Sequence, residues 1–266
     1  MIRFCAVWPA VVLVMVFAFA PASSLAQAPA GQNRKPVSGT SISINTSNNR
    51  LAISPYIYGY NGCPAGARNL TFCRSGGNRL TAYNWENNYS NAGSDWQFQN
   101  DNGLDSSTVP GDAIKTFIDA TQNAGATALI TVPIVDYVAG DAAGPVPSSQ
   151  YQSLTRFKTN VMRKGSAFTL TPDPNDGFVY QDEFVNWIKT NSASREAQNK
   201  FVFYSLDNEP DLWSSTHPEV HTAPVTYAEL VSRTIASASA IKDNATANSL
   251  VFGPVREPAP EIWTGG

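Results

Sequence analysis

The run Phe201-Val202-Phe203-Tyr204-Ser205-Leu206-Asp207-Asn208-Glu209-Pro210 decides the fold. Its first six residues are apolar almost throughout, the pattern of a strand buried on both faces. Ala126 to Ile134 is a second run of the same kind. Tyr56 to Tyr60 after Pro55, Leu70 to Cys73, and Leu250 to Phe252 are shorter candidates. Helical patterns fall between them. Ile114, Phe117, Ile118 and Thr121 recur at helical spacing, with Pro110 before and Gly125 after. Phe184, Val185, Trp187 and Ile188 mark a second helix, which places Trp187 in the core. Thr226-Tyr227-Ala228-Glu229 is a capping box. The helix it opens is predicted to turn Tyr227, Leu230, Val231, Thr234, Ala238 and Ile241 inward.

Apolar strands alternating with helices make parallel βα units. A (β/α)8 barrel takes about 250 residues for eight strands. This chain has 266 residues and about five such strands. Five strands of a barrel leave two raw edges, which folded proteins avoid. The alternatives are therefore an open doubly wound sheet and the front part of a longer barrel. The close after a strand, through Pro254, Pro258, Pro260 and Gly265-Gly266, favours a TIM-like barrel truncated after about five units.

Residues 1–26 read as a secretory signal peptide. Arg3 supplies the charge, Ala6 to Ala20 is apolar, and small residues follow up to Ala26 and Ala28. That apolar run is shorter than a membrane span. The expected product is thus secreted, with no membrane contact after cleavage. Cys5 leaves with the signal, and Cys63 and Cys73 remain as a candidate disulfide in an oxidising compartment. Residues 27–40 read as a flexible leader, and residues 41–54 as a β-hairpin ahead of a main domain at 55–255. Charged residues are 15% of the chain and the formal charge is −3. Nucleic-acid binders show a basic balance or stripe, so that class is set aside. The hydrophobic share of 42% excludes wholesale disorder.

The stretch from 75 to 109 lacks periodicity but is rich in Asn and aromatics, including Tyr83, Trp85, Tyr89, Trp96 and Phe98. It reads as an ordered binding loop. Sugar rings stack on aromatic faces while their hydroxyls bond Asn, Glu and Arg. Tyr83, Trp85 and Glu86 are the candidates in this loop, and Trp213 is a fourth. Trp96 and Trp263 receive no placement. Glu209 follows a buried strand, where barrel enzymes hold their chemistry. A glycosidase needs a carboxyl acid there to protonate the leaving oxygen. Asn208 beside it offers a hydrogen bond to a sugar hydroxyl. Read alone, Asp207 to Pro210 is also a plain polar turn.

His217-Pro218-Glu219-Val220-His221 holds the chain's two histidines. A zinc protease places Glu directly after the first His of a helical pair, so a loop pair shaping a site wall is the better reading. Asp173-Pro174-Asn175-Asp176-Gly177 has oxygen ligands compatible with a structural calcium, though a plain turn fits it better. No other cofactor is expected. No nucleophile elbow, Walker A loop or dinucleotide fingerprint occurs.

Gly76-Gly77-Asn78-Arg79-Leu80-Thr81-Ala82-Tyr83-Asn84-Trp85-Glu86-Asn87-Asn88 closely resembles the signature region of glycoside hydrolase family 44. So do Tyr180 to Trp187 and Leu206 to Pro210, extended by Ser215 to Pro218 and Val225 to Tyr227. The resemblance runs from about Ser43 to Val255. It implies a secreted endo-β-1,4-glucanase or xyloglucanase acting on β-glucan with retention through two glutamates. It also implies a TIM-like barrel joined to a β-sandwich built from both chain ends. Glu209 would be the acid/base, with Asn208 its neighbour on the fourth strand. Arg74, Trp85 and Glu86 would line the cleft, and the hairpin would belong to the sandwich. Three departures stand out. The family's Trp after Arg74 is Ser75 here. The pattern stops after Val255, leaving 256–266 as an unrelated tail. The nucleophile would come from a later strand, which this chain lacks. The alternative is an inactive truncated fragment or a non-catalytic glucan binder, as a monomer in either case.

Overall fold

The computed structural model describes residues 42–48, 50–64, 66 and 69–254. The expected signal peptide, leader and tail lie outside these residues. Strands β1 (Gly59–Asn61) and β2 (Phe72–Ser75) come first. Strands β3 (Ser90–Asn91) and β4 (Gln99–Asp101), helix α1 (Asp112–Asn123) and strand β5 (Thr127–Val132) follow. Strands β6 (Tyr137–Ala139), β7 (Gly144–Pro145), β8 (Phe157–Val161) and β9 (Phe178–Tyr180) precede helix α2 (Gln181–Ser192). Then come β10 (Val202–Leu206), α3 (Trp213–Thr216), α4 (Tyr227–Asn244) and β11 (Val251–Phe252).

The main sheet is parallel throughout, in the order β1-β2-β5-β10-β11. Each strand neighbours the next one in the alternation. A doubly wound sheet reverses its order at a switch point, and this sheet has none. The order fits a partial barrel. Val202 stands opposite Ala128 and Leu206 opposite Val132. Every residue of β5 and β10 is buried, as their unbroken apolar runs require. The edges differ: all three residues of β1 are exposed, and β11 is half open.

Ile130, Val132, Tyr204 and Leu206 from the sheet share one core with Ile114 and Ile118 of α1, Phe184 and Ile188 of α2, and Ile241 of α4. Thr226 caps α4 by accepting the Glu229 N–H at 3.2 Å. The predicted inner face of α4 is partly wrong. Leu230, Ala238 and Ile241 do pack inward, but Tyr227 and Val231 are exposed. Ser237, Ala240 and Ile241 are the buried positions. Two of these are small, which lets the helix backbone approach its neighbours.

Two further three-stranded sheets, β3-β4-β7 and β6-β8-β9, were not anticipated. Their strands run two to five residues, too short to leave a period in the sequence. The β-hairpin expected at 41–54 is not seen among the described residues. The described residues 42–48 and 50–54 hold no strand. A lone hairpin is marginal in water, and alternation alone does not supply the partners that stabilise it. Contacts divide the chain into residues 1–51 and 52–266.

Helix α1 starts at Gly111, whose φ is +74° and whose N–H donates to Trp85 O at 2.7 Å. A Cβ there would lie 2.4 Å from the Trp187 ring. Gly111→Ala should therefore destabilise the fold by about 2–4 kcal/mol, the sum of left-handed strain and overpacking. Urea unfolding of the variant beside the parent chain reads this difference directly.

Candidate active site

Because the main sheet is parallel, the C-terminal ends of its strands share one edge. Arg74 of β2, the residues after β5, and Asp207 to Glu209 after β10 collect there. The Asp207 N–H still follows the sheet, donating to Val132 O at 2.9 Å. The backbone then turns sharply. Asp207 has φ +57° and Glu209 φ +45°, both left-handed and both non-glycine. Each costs about 1–3 kcal/mol and persists only where the surroundings impose it.

The Asp207 carboxylate is what imposes it. Oδ1 accepts from Thr81 Oγ1 at 2.8 Å, from the Asn208 N–H at 2.8 Å and from Trp213 Nε1 at 3.3 Å. Oδ2 accepts the Ile134 N–H at 2.7 Å. Burial holds this carboxyl above its ordinary value, against the pull of those donors. The loops after β2, β5 and β10 are thereby tied to a single side chain.

A polar chain runs out from this anchor. Arg74 Nη2 donates to Asn208 Oδ1 at 2.8 Å, and Asn208 Nδ2 donates to Glu209 Oε2 at 3.0 Å. Burial lowers the Arg74 guanidinium, opposed by the carboxylates of Glu209 and Asp207. Its Nε–H is buried and finds no acceptor among the described residues. Gly76 makes room for this arginine, since a Cβ there would lie 2.2 Å from Arg74 Cζ. Glu209 itself is half-buried.

Glu86 lies elsewhere, in a hollow of about 510 Å³ that it shares with Tyr89, Pro110 and Pro172. Glu209 does not line this hollow. Glu86 Oε2 is 2.8 Å from Lys158 Nζ, and both residues are buried. Burial pushes the Glu86 carboxyl up to about 7, beyond what Lys158 can offset. A carboxyl near 7 suits acid catalysis. Glu86 nonetheless sits on a loop, bound to Lys158 of β8, whereas Glu209 stands just past a strand end.

The aromatic candidates require correction. Trp85 is fully buried, stacked on Phe184 at 5.5 Å, with Nε1 donating to Tyr180 O. Tyr83 is buried with its hydroxyl donating to Asn88 Oδ1 at 2.9 Å. Trp213 is buried edge-on against His221. None of the three presents a ring to solvent. Trp187 is in the core as expected, and the unplaced Trp96 is 58% exposed. The asparagines of the long loop also work internally. Asn84 donates to Ala139 O, and Asn88 donates to Ser107 O and Val109 O. These bonds satisfy backbone groups that a long buried loop would otherwise orphan.

The two histidines do not converge. His217 is fully buried between Glu219 Oε1 at 2.6 Å and Asn78 O at 2.8 Å. His221 faces Asp136 at 3.0 Å. Among the described residues no group of three or more His, Cys, Asp or Glu could hold a metal. Asp173 and Asp176 accept N–H groups of their own turn, from Asn175 and Phe178. Cys63 and Cys73 are free thiols. The sequence reading missed Asp207 as the anchor, Thr81 as its partner and Lys158 as the partner of Glu86. Asp207 stood in a quoted motif, but its role needs two loops that are remote in sequence.

The family model described as glycoside hydrolase family 44 matches residues 89–264. The chain belongs to glycoside hydrolase family 44. Endoglucanase A of Paenibacillus lautus is 39% identical over 225 residues, covering 82% of this chain and 32% of that protein. A family 44 xyloglucanase structure from Paenibacillus polymyxa is 42% identical with TM-score 0.74, covering 80% of this chain and 44% of that one. A Paenibacillus polymyxa family 44 xyloglucanase solved with xyloglucan is similar at TM-score 0.72 and 43% identity, covering 77% of this chain and 41% of that one. The chain thus spans less than half the length of these relatives. Ser75 closes β2, and its carbonyl accepts from Thr131 Oγ1 at 2.7 Å.

Two predictions follow from this geometry. Asp207→Ala orphans buried N–H and O–H donors, and should lower stability by about 3–5 kcal/mol in urea titration. Asp207→Asn should lose less, because an amide oxygen still accepts. The second concerns pH. The folded chain holds the Glu86 proton more tightly than the unfolded chain does. This contribution is full below about 4.5 and is lost as pH rises through about 7. Unfolding free energies at pH 5 and pH 8 should therefore differ by on the order of 2 kcal/mol more in the parent than in Glu86→Gln.

Proposed function

We propose that this chain carries the acid/base part of a retaining endo-β-1,4-glucanase or xyloglucanase. The observation that carries the proposal is Glu209, half-buried beyond β10, with the Asn208 amide on Oε2 and Arg74 behind it. Family membership and the relatives' substrates support it. In the first step the protonated Glu209 gives its proton to the glycosidic oxygen, while a second carboxylate attacks the anomeric carbon. In the second step Glu209 takes a proton from water, and that water releases the sugar with retention.

The attacking carboxylate is not assigned to a described residue. Asp207 is unsuited because its oxygens already accept four donors. Asp136 is held by Arg233 at 2.7 Å and by His221. We assign the nucleophile to a strand beyond this chain, and the product to the extracellular space through residues 1–26. The second reading is glucan binding without hydrolysis, since the attacking carboxylate is not assigned to a described residue.

Reducing-end release from xyloglucan by this chain, with affinity electrophoresis in glucan gels, separates the two readings. Retardation without release supports the binder. In a polypeptide that does hydrolyse, Glu209→Gln should cut turnover by about 10²–10⁴ while leaving oligosaccharide binding nearly unchanged. Glu86→Gln should leave turnover largely intact. Full turnover in Glu209→Gln would sink the assignment.

A further inference from the structure

Cys73 lies in β2 directly opposite Tyr60 of the edge strand β1. Just past β1, Gly62 adopts φ +80° and its N–H donates to Arg74 O at 2.8 Å. This antiparallel bridge folds the chain back across β2 and brings Cys63 to Cys73. The two are free thiols, Cys63 half-buried and Cys73 buried. Burial pushes the Cys73 thiol up to about 12, and the hydrogen bond and charge of the Cys63 thiol add to that rise. The thiols are therefore direct neighbours.

We propose that Cys63 and Cys73 form a modification site, where a small-molecule disulfide oxidises both thiols to an internal disulfide that clamps edge strand β1 onto β2. Cys63 reacts first, because it is the reachable one. Its thiolate attacks the small disulfide, forming a mixed disulfide and releasing one small thiol. Cys73 then loses its proton to solvent and attacks the Cys63 sulfur, and the second small thiol leaves. Two S–H bonds are lost and one S–S bond forms, while the oxidant is reduced to two thiols. The second step is slow at neutral pH, because little Cys73 is thiolate, and it should quicken about tenfold per pH unit.

The clamp bears on the site. All three residues of β1 are exposed, and Asn61 Oδ1 faces Arg74 Nη1 at 3.4 Å. Closing the bridge removes the freedom of β1 to peel from β2 beside that arginine. The proposal does not depend on whether the chain hydrolyses glucan.

The test equilibrates the native 266-residue chain with oxidised glutathione, alkylates it after denaturation and maps its peptides without reduction. The expected product is 2 Da lighter, with a linked Cys63–Cys73 peptide and slowed amide exchange over residues 59–62. Its thermal midpoint should rise by roughly 5–10 °C and fall back with dithiothreitol. Cys63→Ser should melt at the same temperature under both redox conditions. Alkylation of both cysteines after equilibration would overturn the proposal. So would arrest at a glutathione adduct on Cys63, or a bridge from either residue to Cys5 or to a second chain.

Discussion

Everything at the candidate site hangs on one buried carboxylate. Asp207 accepts four donors, Asn208 and Trp213 close by in sequence and Thr81 and Ile134 from two remote loops. A carboxylate alone in a protein interior is expensive, and one that accepts several donors is tolerated. The donors gain as well, since the Ile134 and Asn208 N–H groups point where the sheet can no longer take them. This single exchange offsets two left-handed residues, Asp207 and Glu209, on either side of Asn208 and aims Glu209 away from the strand. Arg74 and Asn208 then need only one amide orientation. The guanidinium can donate only to an oxygen, so the Asn208 NH₂ is left for Glu209.

Burial decided which sequence readings held. The five-strand alternation was legible because β5 and β10 are apolar on both faces, and few other elements look like that. Their observed bounds fall inside the predicted runs. The order of the sheet was not legible, and it is this order that fits a partial barrel and lacks the reversal of a doubly wound sheet. Periodicity reports which face is buried, not which strand lies alongside. The α4 face shows the same limit from another side. A capping box places a helix start well, but the inner face is set by what packs there. Small Ser237 and Ala240 took positions that a count of large apolar residues assigned to Tyr227 and Val231.

The aromatic candidates failed for a physical reason. Asn, Trp and Tyr in a long loop fit sugar binding and internal packing equally well as a composition. The loop from 75 to 109 must satisfy many backbone groups far from regular structure, and it does so with buried asparagines. Its rings fill the space over α2, where Trp85 stacks on Phe184 and lies beside Trp187. Composition carries no information on which use is made. Glu209 differs in kind, because it follows a fully buried strand and stands half-buried at the sheet's C-terminal end.

The placement of the site within the sheet follows from hydrogen-bond accounting. Arg74 stands on β2, and Ile134 and the Asp207 turn directly follow β5 and β10, the three strands being paired on both sides. The exposed edges, β1 and β11, carry none of the Asp207 donors. Fraying of an edge strand opens the ladder locally and at low cost, whereas opening an inner strand breaks two ladders and uncovers the core. The groups that must hold position to fractions of an ångström therefore sit where local opening is most costly. From the edge, Asn61 pairs with Arg74 in the ladder and places Oδ1 3.4 Å from its Nη1, and the Gly62 N–H donates to Arg74 O. Glu209 is thus held from the middle of the sheet, and motion at β1 bears on it through Arg74 and Asn208.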